Sequence, residues 1–225
     1  MNRTMLPLGT LLLCCPLMGA SESDVVKRLD ESAVVLSEIM SAPDKGIPQD
    51  LLEKAHCVVI VPGMKKAAFI VGAKYGKGFI SCREGMGWSA PASIRIEGGS
   101  VGFQIGASET DVVMLVMNKR GADKLLSSHF TLGGEGEVAA GPVGRATTAQ
   151  TDAKLTAEIL SWSRARGVFA GVSLQGATLR QDLDDNQALY GSRIENVDIV
   201  KTKVAFPGSA AKLQALLQRY SPHEK

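Results

Sequence analysis

The sequence predicts an α+β fold, with antiparallel β-sheets packed as a sandwich or barrel-like core and N-terminal and C-terminal helices covering it. Three observations carry this. Between residues 56 and 118, β-branched runs alternate with turn residues at short spacing, which favours antiparallel sheets over βαβ units. Apolar residues recur at helical spacing near both ends of the chain. Glycine occurs 24 times in 225 residues, above the ordinary share of about 7 %, as expected where backbones turn tightly or approach closely.

The elements follow in order. Residues 1–20, MNRTMLPLGTLLLCCPLMGA, have Arg3, then an apolar run, then small residues, the three parts of a secretory signal. The expected organisation is therefore a signal peptide at 1–20 and one domain at 21–225. From 21 to 42, Val25, Val26, Leu29, Ala33, Leu36 and Met40 form one apolar stripe, and Ser23 offers a cap. The polar residues of that helix are acidic overall, which favours docking on the protein's own core over a membrane surface. Ile47-Pro48 opens a short helix over 49–54. His56 to Val61 reads as a buried strand closed by Pro62-Gly63. Further strands are expected at 67–73, 77–83, 89–97, 100–107 and 111–118, with Tyr75-Gly76 as a hairpin tip. A short helix follows at 119–127, then strands around 158–164 and 167–175, a polar region at 180–185, and a last helix capped by Ser209.

The stretch GGSVGFQIGAS at 98–108 invites a phosphate-loop reading. Its residues instead alternate bulky and bare, as in a strand with one face of glycine. No Lys follows it, as a phosphate loop requires. It also matches Gly-x-Ser-x-Gly around Ser100, but that elbow needs a helix after the serine. His56, His129 and His223 are the only histidines and there is no Cys-x-x-Cys, so zinc has no ligands at useful spacing. Neither a metal nor a cofactor nor an enzymatic activity is expected. The formal net charge is +2, too small to hold nucleic acid by bulk electrostatics. Cys57 and Cys82 both fall in expected strands of an exported chain, where disulfides form; a bond between them and two separate buried thiols are both open.

The basic residues gather beside turns: Lys65 and Lys66 after Pro62-Gly63, Lys74 and Lys77 around Tyr75, Arg145 after a Gly-Pro-Val-Gly run, and Arg164 and Arg166 before Gly167. Brought to one end of the sheets they would form a cationic rim suited to a lipid phosphate, with Tyr75 at the interface. Scattered over the surface they would be ordinary solvated turn residues.

Val58-Val59-Ile60-Val61-Pro62-Gly63, Gly72-x-x-Tyr75-Gly76-Lys77-Gly78, Trp88-Ser89-Ala90-Pro91, Gly99-Ser100-Val101-Gly102-Phe103-Gln104-Ile105-Gly106, Ala140-Gly141-Pro142-Val143-Gly144-Arg145, and Ser163-Arg164-x-Arg166-Gly167-x-Phe169-Ala170-Gly171-Val172 together resemble the SYLF domain family over residues 24–206. The resemblance implies a lipid-binding module without catalytic residues. Its eukaryotic relatives are associated with phosphoinositide-rich membranes, and some bind actin; its bacterial relatives are exported single-domain proteins. This chain departs from many eukaryotic relatives in carrying no Src-homology module within its 225 residues. The expected function is non-enzymatic recognition of anionic phospholipid at a membrane surface, in a periplasmic or secreted, peripherally attached protein. A cell-envelope protein-interaction or structural module is the alternative, with actin binding only by analogy.

Overall fold

A computed structural model describes residues 21–42, 46–68, 71–101, 106–141, 157–165, 168–169, 174–202 and 204–221. The expected signal segment at 1–20 lies outside them. Ten strands form one curled, mostly antiparallel sheet: β1 Cys57–Ala68, β2 Val71–Glu84, β3 Gly87–Trp88, β4 Ala92–Val101, β5 Gly106–Val116, β6 His129–Thr131, β7 Val138–Ala140, β8 Ile159–Ala165, β9 Val168–Phe169 and β10 Thr178–Gln181. The main order is β6-β10-β4-β2-β1-β5-β8-β7; β3 pairs with β2, β9 with β8, and β7 lies parallel to β8. The barrel-like arrangement is thus the one adopted, not two stacked sheets.

Alternation along the strands makes two cores. On the inner, concave face Val59, Val61, Ile80, Ile94, Ile96, Val112 and Met114 pack with α3 (Lys119–Leu125) and α5 (Asn196–Lys201). On the outer face Val58, Ile60, Phe79, Val113, Leu115 and Trp162 meet α1 (Glu22–Ser41), α2 (Gln49–Lys54) and the C-terminal α6 (Ala211–Tyr220). Helix α1 docks as its stripe predicts, through Val25, Leu29, Ala33, Leu36 and Ile39. Arg83 ties the outer layer together. It donates to the carbonyls of Leu52, Glu53 and Ser221, and its guanidinium stacks 4.1 Å from the Trp88 ring centre. Cys57 and Cys82 face each other across β1 and β2 and are joined by a disulfide, S–S 2.06 Å.

Several expected boundaries are corrected. Pro62-Gly63 does not end β1. It forms an irregularity inside the strand, where the register shifts against both β2 and β5. Gly63 takes φ +57°, which glycine adopts without a steric cost, and its N–H donates to Asp111 Oδ1 at 3.0 Å. Tyr75-Gly76 is no hairpin tip but mid-strand, paired with Lys65 and Ile96. The strand expected at 67–73 is instead divided: Ala67 and Ala68 end β1 and pair with Ala73 and Gly72 at the start of β2. The stretch 98–108 is likewise not one strand: it holds the end of β4 and the start of β5, which are separated in the sheet by β2 and β1. Ser100 pairs with Gly72 inside β4, away from any strand-to-helix elbow. The polar region at 180–185 contains β10 and the start of α4 (Leu183–Tyr190). Ser209 falls in a 3₁₀ turn, Gly208–Ala210, and Ala210 caps α6 without a side-chain bond.

Candidate functional site

Four strands, β4-β2-β1-β5, run on beyond their neighbours. Among the described residues, pairing of β5 with β8 ends at Asp111 and Arg164, and pairing of β4 with β10 ends at Glu97 and Thr178. Past those points the four strands form a tongue. Two rows cross it in register: Glu109–Lys65–Tyr75–Glu97, and one step further out Ser108–Lys66–Lys74–Gly98. Lys66 and Lys74 share the face of Met64 and Gly76, continuous with the inner core. Lys65 and Tyr75 lie on the other face, which carries the helices lower down. The lysines therefore share an end but not a face. Tyr75 is 46 % exposed and Lys74 only 6 %. Burial lowers the pKa of Lys74, and the charge of Lys66 opposite lowers it further.

The tip is unusual in composition. From Lys66 to Lys74 and from Gly98 to Ser108 the chain contains two lysines and no Asp or Glu. Ala67, Ala73, Gly99 and Ala107 are exposed there, one per strand and in register.

Two of the expected phosphate contacts are spent elsewhere. Lys77 sits 2.8 Å from both Asp182 and Asp185, whose side chains are at most 2 % exposed, and Arg28 of α1 joins Asp185 at 2.5 Å. Burial works against the Lys77 ammonium, but its bonds to the two carboxylates outweigh that and raise its pKa. Arg164 is held by Asp111 at 2.9 Å and by Glu38 of α1; burial opposes its charge and these partners more than restore it. Both cations are structural pins between the sheet and the helices, not a free cationic rim. Arg145 and Arg166 lie outside the described residues. Nothing near Asp111 in sequence marks it as a partner for a cation; Gly63 and Arg164, which it binds, are 48 and 53 positions away. Among the described residues no cluster of His, Cys, Asp and Glu could hold a metal, and no helix is long and apolar enough to cross a membrane.

The architecture is thus a curled sheet clad by helices, with a projecting tongue whose outermost residues, 66–74 and 98–108, include no Asp or Glu. Comparison with known proteins gives its lineage. Residues 97–220 match the family described as Ysc84, Las17-binding protein actin regulator, and the chain belongs to this family, the one also called SYLF. It is 33 % identical over 206 residues to the human SH3 domain-containing YSC84-like protein 1, covering 88 % of this chain and 60 % of that protein. It is 36 % identical over 175 residues to a Schizosaccharomyces pombe SH3 domain-containing protein, covering 76 % of this chain and 40 % of that one. To LAS seventeen-binding protein 3 of Saccharomyces cerevisiae it is 31 % identical over 203 residues, covering 88 % and 44 %. The chain spans about 60 % of the length of the mammalian relatives it matches.

Proposed function

We propose that this protein is a non-enzymatic module that attaches to anionic phospholipid surfaces through the end of its tongue. The observation that carries the reading is the tip itself: two paired lysines, Lys66 and Lys74, with no carboxylate along the chain around them. An end-on approach brings Lys65 and Lys66 to head groups from the two faces of one strand, and Tyr75 to the interfacial zone. Magnitudes limit the claim. Lys74 is buried, so the two lysines that reach the surface, Lys65 and Lys66, at about 1 kcal/mol each give attachment much weaker than roughly millimolar. The exposed alanines of the tip must therefore add apolar contact, or several copies must bind together.

Flotation with vesicles tests this. The protein should float with vesicles rich in phosphatidylglycerol or phosphatidylserine and not with phosphatidylcholine alone. Binding should fall steeply with salt and be lost in Lys66→Glu/Lys74→Glu. Binding to neutral vesicles that persists in high salt, or a double variant that binds as before, rejects the reading.

A second reading, a protein partner, is favoured by the family's description as a Las17-binding actin regulator and by the relatives' names. Cosedimentation with actin filaments, with the same double variant as comparison, addresses it. We further propose that the chain is exported after cleavage at Ala20 and is periplasmic or secreted. The leader-like sequence and the Cys57–Cys82 disulfide support this, because such bonds persist in oxidising compartments. N-terminal sequencing of the native protein should begin at Ser21.

A further inference from the structure

A second surface, opposite in character to the tip, runs along α1. On this helix Lys27, Glu31, Val34 and Glu38 recur at three- and four-residue spacing and so line one side of the cylinder. They form one wall of a groove of about 380 Å³. The opposite wall is the strand irregularity at Pro62-Gly63, with Glu109 and Asp111 of β5 and Arg164 of β8 beside it. The floor is apolar: Val35 is buried, Pro62 is half-buried, and Val34 stands 43 % exposed, one of the few large hydrophobic side chains that do so among the described residues.

The rim is acidic. Five carboxylates, Asp30, Glu31, Glu38, Glu109 and Asp111, outnumber the cations beside them, Lys27 and Arg164 in the groove and Lys65 across the strands from Glu109. Arg164 is already shared between Glu38 and Asp111, and the second oxygen of Asp111 accepts the Gly63 N–H. Lys27 reaches Glu31 only at 3.7 Å, with both side chains largely in solvent, so it neutralises little. Asp30 and Glu109 have no ion-pair partner among the described residues. Glu109 lies across the bare face of Gly63, where any Cβ would come within 2.6 Å of its Oε1.

We infer that this groove binds a basic peptide segment of a protein partner, with an apolar side chain seated on Val34 and Pro62 and lysine or arginine on either side reaching Glu31 and Glu109. Charge complementarity selects the class. Phosphate, anionic lipid and nucleic acid meet a net negative rim and are repelled. A small cation would use the carboxylates but leave the valine wet, whereas a basic, apolar-centred peptide satisfies both. The inference is independent of the membrane reading, because it uses the acidic stripe of α1 and not the tip.

The test uses the mature protein and short fluorescein-labelled peptides, read by anisotropy without lipid. One probe alternates lysine with leucine; the controls alternate glutamate with leucine and lysine with serine. The lysine–leucine probe should bind, weaken at high salt, and exceed both controls. Asp30→Asn/Glu31→Gln should weaken it about fivefold or more, as should Val34→Ser, with circular dichroism melting unchanged because all three residues are exposed. Equal binding of the glutamate–leucine probe, or full binding by both variants, overturns the inference. Since no vesicle is present, either outcome leaves the lipid reading to its own experiment.

Discussion

The same four strands behave differently at their two ends. At the base, Cys57 to Val61 of β1 and Phe79 to Cys82 of β2 are buried, large or β-branched for the most part, and covered on both faces. Beyond Gly63 the strands keep pairing in register from Lys65–Tyr75 to Ala68–Gly72, yet the paired Lys65 and Tyr75 and the paired Ala67 and Ala73 stand exposed. Backbone ladders are evidently enough to continue a sheet once its base is anchored. The base supplies the apolar burial, so the tongue is free to carry lysines and small residues that no core would select. Between them lies the Pro62-Gly63 irregularity, braced by Asp111.

Four measurements would sharpen or break this contrast. The largest effect is expected for Phe79→Ala at the base, about 3–5 kcal/mol by urea unfolding, because the ring is 2 % exposed between sheet and helices. Replacing both cysteines by alanine should cost about 2–4 kcal/mol, since the bond closes a separation of 25 residues; reductant should lower wild-type stability likewise and leave the double variant unchanged. A smaller, pH-dependent effect separates Lys77 from Lys74, three positions apart on β2. The raised pKa of Lys77 means its contribution is full below the ordinary lysine value of 10.5 and is lost as pH rises through the folded value. Tyr190, its pKa raised by burial, adds to that alkaline loss. The lowered pKa of Lys74 acts oppositely: between its folded value and 10.5 the unfolded chain holds more protons, so stability climbs with pH. Unfolding midpoints from pH 8 upward should thus decline less steeply in Lys77→Met, where the Tyr190 part remains, and more steeply in Lys74→Met, where the opposing rise is gone. The smallest effect is Tyr75→Ala, expected within about 0.5 kcal/mol. A loss comparable to that of Phe79→Ala would show the tongue to be part of the core.

Much of this architecture was legible beforehand. Helices α1, α2 and α3 stand where the sequence places them, although Ser23 lies inside α1 and Ser21 precedes it without a side-chain bond; the strands expected at 56–61, 77–83, 89–97 and 111–118 overlap β1, β2, β4 and β5. The errors have physical causes. Ala67 to Ala73 contains no Pro, Asn or Asp, so a period-2 pattern passes through the hairpin's closing end without a visible break. Conversely Pro62-Gly63 looks like a stop, and only Asp111, distant in sequence, makes it part of a strand. Helix α4 and the start of α5 hide because polar residues bury them. Asn186 takes the Ser93 N–H at 2.8 Å and donates to Asn196 at 2.8 Å, while Asp182 caps α4. The site was half legible. Lys65, Lys66, Lys74 and Tyr75 do fall at one end of the sheet, an arrangement the sequence offered beside a scattered one, but the acids that capture Lys77 and Arg164 come from remote elements that no local spacing reveals.

Strand order also dictates how the chain can assemble. The β1–β2 hairpin is central, β4 and β5 flank it, and β10 and β8 flank those. β4, β5, β8 and β10 therefore each add to an edge built by earlier strands, and Cys57 of β1 must wait for a partner 59 residues downstream at Val116, a slower closure than its own hairpin. Growth from the middle outward suits a polypeptide emerging N-terminus first. It also leaves β4 a raw edge until β10 arrives, so an interrupted chain would be the form most prone to pair with its own kind.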